Sequence, residues 1–302
     1  MFRKTFSAYW PYVMILLVMT GAVACSAQHP PAKELPRKDA GDTTLTTQTV
    51  KTGLYLISGS GGNSLVRFSA NGLILVDGKL PGSYRVLMSQ VRKILKIADL
   101  PVRVLIITDH HEDGTGNNAK FAEAGVQIIG QENAGHNLAA SNPAGGKLAL
   151  PTVIYAHDYT LQLGGVEAKL MHFGNAHTNG DTVVYFPNLK VVAVGDLFTP
   201  GTPDPDFLGG GSLLDWGSVL AEILKLEFDV VVPSRGPMVA RADLEAFKSK
   251  IDAVASRAEG LVKAGVPKEQ LMARLKTDDL GWRFNFTGDP LDHFYAELSR
   301  TK

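Results

Sequence analysis

Between Leu105 and Asn118 the chain reads LIITDHHEDGTGNN, and Asp109, His110, His111 and Asp113 put imidazole nitrogens and carboxylate oxygens into one short loop. Such donors together suit a borderline divalent metal such as zinc. The apolar run Val102 to Ile107 predicts a strand, and the glycines and asparagines after Asp113 predict a sharp turn. The chemistry therefore sits at a strand end. A polar strand-end loop with no ligand is the other reading of the same residues.

Four further segments bear on the choice: NGLILVDG at 71–78, GNAHTNGDTVVYFP at 174–187, VVAVGDLF at 191–198 and VVPSRGP at 231–237. With 105–118 they resemble, in the same order, the conserved segments of the metallo-β-lactamase superfamily, whose signature is HxHxDH and whose last ligand loop is written PxHGP. Placing Thr108, Asp113 and Thr115 on that pattern puts Asp109 at the first histidine, His111 at the second and Gly114 at the third. Arg235 stands where the last loop carries histidine, while His177 and Asp196 match in type and place.

The resemblance implies that a first metal would be held by Asp109, His111 and His177, with Asp196 shared between two ions. The second ion would need Asp113, Gly114 and Arg235. Glycine offers no side chain and a guanidinium no lone pair, so the second site is expected to be lost. Both losses fall on the same ion. Three carboxylates (Asp109, Asp113, Asp196) against one divalent ion and Arg235 also sum to zero. Arg235 is therefore expected to replace the second metal, pairing with Asp113 or Asp196, whose unpaired burial would be costly.

These loops need a scaffold. The 302 residues are 45% hydrophobic and 20% charged, enough for one large domain with a substantial core. Short strands are expected at 54–58, 64–68, 73–76 and 102–107, then at 126–129, 152–156, 158–163, 166–172, 191–194 and 230–232. Apolar spacing predicts helices at 84–98, 118–124, 132–140, 213–226, 242–264, 268–275 and 291–300. This mixture fits an α/β (α+β) fold, an αββα sandwich of two mixed sheets flanked by helices, and the resemblance implies the same architecture. In the proline- and glycine-rich stretch 199–212, Phe207, Leu208 and, beyond it, Trp216 are candidates for the walls of a substrate mouth, with ordinary packing under a loop as the other reading. Ser212 is a candidate cap whose preceding glycines could admit an anion.

Residues 1–25 read as a targeting segment: Arg3 and Lys4 precede an apolar run, Val13 to Ala24, that is short for a membrane span. The run ends Ala22-Val23-Ala24-Cys25, which resembles a bacterial lipobox. Cys25 is the only cysteine, so intramolecular disulfides and cysteine ligands are excluded and a lipid attachment point is expected. A cleaved secretory signal and an uncleaved anchor are the alternatives. Residues 26–48 are polar with three prolines and read as a disordered tether, leaving 49–302 as the folded domain with its C-terminal helices. The expected address is the periplasmic face of a bacterial membrane, or a soluble periplasmic or secreted form.

Formal net charge is zero and no basic run stands out, so a nucleic-acid partner is not expected. What the resemblance implies is a hydrolase of an ester, amide, lactam or thioester with a small-molecule substrate. It would carry one zinc, or alternatively iron or no metal, with Asp113 and Arg235 as its catalytic side chains. The rival is a noncatalytic binding or scaffold lipoprotein that kept the fold.

Overall fold

The computed structural model describes residues 44–95, 100–141 and 149–300. The targeting segment, Cys25, most of the tether and the greater part of the 142–151 loop lie outside the described residues.

Two mixed sheets stack face to face. The first has seven strands in the order β1-β2-β3-β4-β5-β6-β7: Thr46–Lys51, Leu54–Ser58, Ser64–Ser69, Gly72–Val76, Val102–Ile106, Gln127–Gln131 and Val153–Tyr155. The second has six, in the order β13-β12-β11-β10-β9-β8, where β8 is Asp158–Leu163, β9 Val166–Met171 and β10 Val183–Phe186. Its remaining strands are β11, Val191–Gly195, β12, Val230–Pro233, and β13, Val239–Ala240. Side chains alternate across each strand, so β4 divides its residues: Ile74 and Val76 join Leu170, Val184 and Val232 between the sheets. Leu73 and Leu75 face outward, where α1 (Tyr84–Leu95) covers them with Leu87 and Val91. A strand covered on both faces reads as continuous apolar sequence, as GLILV does.

The outer face of the first sheet also carries α2 (Glu112–Thr115), α3 (Asn118–Glu123) and α4 (Glu132–Ala140) on its side of the fold. Against the second sheet pack α5 (Leu213–Ile223), α6 (Arg241–Lys263), α7 (Lys268–Arg274) and α8 (Asp289–Arg300), through Trp216, Leu220, Phe247, Ile251 and Phe294. The result is the αββα sandwich. No described helix is long and apolar enough to cross a membrane.

Several expectations shift. Thr46–Gln48, placed in the tether by composition, begin β1; that strand lies at the sheet edge with its first residues exposed, so no apolar alternation marks it. Phe207 and Trp216 are core rather than mouth: Phe207 packs on Phe286 and Phe294, and Trp216 is fully buried with its indole N–H donating to the Leu197 carbonyl at 3.1 Å. Leu208 remains exposed. Ser212 does cap α5, accepting from Asp215 N–H at 2.9 Å, but the anion place is filled from within. The Glu297 carboxylate of α8 pairs with the Ser212 hydroxyl and accepts from Leu214 N–H at 3.2 Å.

Candidate metal centre

In each sheet two neighbouring strands run parallel, β4 with β5 and β11 with β12, and their carboxyl ends meet at one edge of the sandwich. Beyond β4 comes Asp77, beyond β5 Asp109 to Asp113, beyond β11 Asp196, and beyond β12 Ser234 and Arg235. Since β10 runs antiparallel to β11, the loop before it brings His177 to the same edge. The carboxyl ends of parallel strands are where open α/β sheets gather their ligands.

The two sheets are stitched together there. Thr182 N–H donates to the Thr108 carbonyl at 2.7 Å, and Asn63 N–H to the Ser234 carbonyl at 2.6 Å. Gly195 holds φ +56, and a Cβ on it would stand 2.9 Å from Thr108, so only glycine lets the second sheet approach this closely. Thr108 is fixed in turn by Asp77, whose two oxygens accept its N–H at 2.9 Å and its hydroxyl at 2.8 Å.

At this edge Asp109, His111, His177 and Asp196 converge, each buried, with one ligand atom apiece within 4.8 Å of all the others. Asp109 Oδ2 lies 3.2 Å from His111 Nδ1 and 3.7 Å from His177 Nε2. His177 Nε2 lies 3.3 Å from His111 Nδ1 and 3.5 Å from Asp196 Oδ2. Ligands on a tetrahedral zinc stand about 3.3 Å apart, as bonds of ~2.0–2.1 Å require. The donor set therefore fits a single divalent ion in chemistry and in spacing. Asp109 Oδ1 accepts His111 N–H at 2.8 Å, which turns the loop, and the single turn of α2 then carries Asp113 inward. Burial alone would raise the Asp109 carboxyl, but His111 and His177 beside it hold it well below the usual carboxylate range.

Next to this set the Arg235 guanidinium spans two carboxylates. Its Nη2 pairs with Asp113 Oδ2, its Nη1 lies 3.5 Å from Asp196 Oδ1, and its Nε–H donates to the Gly61 carbonyl at 3.1 Å. Asp196 Oδ1 also takes the Ser234 hydroxyl, so Oδ2 is the oxygen turned toward His177. A narrow cleft opens here, lined by Asp109, Asp113, Gly114, Asp196 and Ser234 among others. Gly114 could not become a ligand by simple substitution. A Cβ there would stand 2.9 Å from Asp77 Oδ1, which Thr108 holds in place. Gly114→His is thus expected to destabilise the fold by about 1–3 kcal/mol through overpacking, without adding a metal; denaturant unfolding and elemental analysis check both halves.

Three supporting residues carried no signal in the sequence. Lys79 is fully buried, its ammonium donating to the Ile57 carbonyl at 2.9 Å and the Gly62 carbonyl at 2.5 Å. It pins the 59–63 loop beside the site, and Asn63 does the same from the other side, its amide donating to Pro233 O and Gly236 O, each at 2.9 Å. Burial pushes the Lys79 ammonium down to about 7 and the Asp77 carboxyl up to about 8. Asp206, in the loop after β11, reaches both His110 and His111. The remaining histidines among the described residues stay apart: His136, His157 and His293 are exposed, and His172 Nδ1 bonds the Asp181 carbonyl at 2.9 Å.

Comparison with known proteins agrees with this geometry. Residues 59–235 match the family model described as the metallo-beta-lactamase superfamily. The chain is 29% identical over 231 residues to the 2,4-dinitroanisole O-demethylase subunit alpha of Nocardioides sp. (strain JS1661), covering 74% of this chain and 68% of that protein. Among solved structures it resembles a metallo-beta-lactamase from Pontibacter korlensis, with a TM-score of 0.60, 22% identity, and coverage of 69% of this chain and 99% of that one. It also resembles the stereoselective inverting sec-alkylsulfatase Pisa1 from Pseudomonas sp., with a TM-score of 0.67 and 16% identity over 85% of this chain but only 50% of the sulfatase. At these identities the structural likeness speaks for the fold, while the family match takes in the strand ends, the histidine loops and the last loop together. By that match the chain belongs to the metallo-beta-lactamase superfamily.

Proposed function

We propose that the protein is a mononuclear metal-dependent hydrolase in which Asp109, His111, His177 and Asp196 hold one zinc ion and Arg235 takes the place of a second. The observation that carries this reading is the guanidinium lodged between Asp113 and Asp196 beside a complete set of four donors. A divalent ion held there with a fifth position open to solvent would polarise a substrate carbonyl and acidify a water. Asp113, held by Arg235, would orient the attacking water through its carboxylate. Arg235, 31% exposed, would turn its remaining N–H groups to an anionic substrate group or a developing oxyanion. The Gly61 carbonyl, and the Asn63 N–H that bonds the Ser234 carbonyl, keep Arg235 in register.

Substrates would be esters, amides, lactams or thioesters. Because one similar protein is named for O-demethylation of 2,4-dinitroanisole, a nitroaryl methyl ether belongs in the same panel. Turnover of at least one panel member that is lost on chelation and restored by zinc supports the hydrolase; a zinc-loaded protein inert to all of them refutes it. The competing reading, a noncatalytic binding protein, is favoured by one observation. The cleft at the site is narrow and lined mainly by carboxylates, glycines and hydroxyl side chains, whereas ordinary small-molecule sites are roomier and mostly apolar. We place the protein at a membrane through lipid on Cys25, a proposal checked by radiolabelled palmitate incorporation that Cys25→Ala abolishes.

A further inference from the structure

The loop that follows β11 touches both imidazoles of the candidate centre from behind. His177 Nδ1 lies 2.8 Å from the Asp204 carbonyl, which can only accept, so the proton of His177 sits on Nδ1 and the Nε2 lone pair points inward. Two residues on, Asp206 Oδ2 lies 3.3 Å from His111 Nε2 and 3.4 Å from His110 Nε2. The loop is itself anchored: Asp206 N–H donates to the His177 carbonyl at 2.8 Å, its carbonyl accepts Gly211 N–H at 2.7 Å, and its Oδ1 accepts Gly209 N–H at 2.9 Å. A Cβ on Gly209 would stand 2.4 Å from Asp206 Oδ2, so that position is kept clear for the carboxylate.

We infer that Asp206 is a positioning residue for metal binding. By accepting the Nε2 proton of His111 it forces that ring's lone pair onto Nδ1, toward His177 and Asp109. The consequence is specific. With protons drawn outward by Asp204 and Asp206, the inner atoms His111 Nδ1, His177 Nε2, Asp109 Oδ2 and Asp196 Oδ2 are all acceptors, crowded within 4.8 Å. Four converging lone pairs repel one another and so favour a cation among them. A carboxylate behind a ligating imidazole also raises the ring's basicity, and loss of such a partner typically weakens metal binding ~10–100-fold.

This inference rests on the proposed metal site, and its test separates the two. Zinc affinity of the full protein is measured by competition with a chromogenic chelator for the wild type, Asp206→Asn and Asp206→Ala. Nitrogen NMR of His111 in the metal-free wild type reports which ring nitrogen holds the proton. The expected results are a zinc dissociation constant raised about 10–100-fold in both variants, metal-free unfolding midpoints near wild type, and the proton on Nε2 of His111. Unchanged affinity in Asp206→Ala, or the proton on Nδ1 of His111, overturns the inference. So does loss of a second, separate equivalent of zinc on mutating Asp206, because His110, His111 and Asp206 would then themselves be holding an ion. A wild type that binds no zinc refutes the metal site, and the NMR result still decides what Asp206 does to His111.

Discussion

Arg235→Ala is expected to lower the stability of the folded protein by about 3 kcal/mol, because it removes the guanidinium that pairs with the buried Asp113 carboxylate. Asp113 is only 5% exposed, whereas Arg235, 31% exposed, keeps some contact with water. The loss should therefore fall toward the lower end of the ~3–5 kcal/mol seen when a buried pair is broken. Asp196 loses a weaker contact at 3.5 Å and keeps the Ser234 hydroxyl, so Asp113 accounts for most of the change. Arg235→Lys would retain the charge without the fork that reaches Asp113, Asp196 and Gly61 together, and should lie between alanine and wild type. Removing both charges, in Asp113→Asn with Arg235→Met, should recover more than 1 kcal/mol relative to the sum of the single changes. Denaturant unfolding of the four proteins measures this. Additive costs would show that the guanidinium is not the partner Asp113 depends on.

His177→Ala is expected to have the largest effect on metal. It deletes a donor that stands within 3.7 Å of all three others, and it empties a buried position beside Trp216, whose ring lies 6.2 Å away centroid to centroid. Zinc affinity should fall at least 100-fold, beyond the ~10–100-fold that follows loss of an outer partner. Stability provides an independent readout. Zinc at 100 times its dissociation constant should stabilise the wild type by about 2.7 kcal/mol, and chelation should remove that increment. For a domain of this size that corresponds to a fall in Tm on the order of 5–10 °C. The His177→Ala protein should melt at the same temperature with and without chelator. A chelator shift that survives in His177→Ala would mean the ion sits elsewhere.

The sequence and the structure meet most closely where chemistry is carried by short loops at strand ends. Asp109, His111, His177 and Asp196 each follow or precede a strongly apolar strand, and the resemblance carried by those strand-end segments singled them out. Helices such as α5, with an apolar face and a serine cap, were equally legible. What stayed hidden had no pattern to betray it. Lys79 looks like any surface lysine until its ammonium is seen buried against two carbonyls. Asp206 lies in a proline- and glycine-rich loop where neither period nor motif distinguishes one acidic residue from Asp204 beside it. Phe207 and Trp216 read as a substrate wall because a long loop beside a ligand strand usually shapes the mouth, whereas α6 and α8 arrive from far along the chain to bury them.

The account stands or falls on how many ions the folded protein holds. Elemental analysis of the purified protein after zinc equilibration and removal of excess should find about one zinc per chain, and none in His177→Ala. Two zinc ions per chain would contradict the replacement of the second ion by Arg235, and a wild type with none would contradict the metal centre itself.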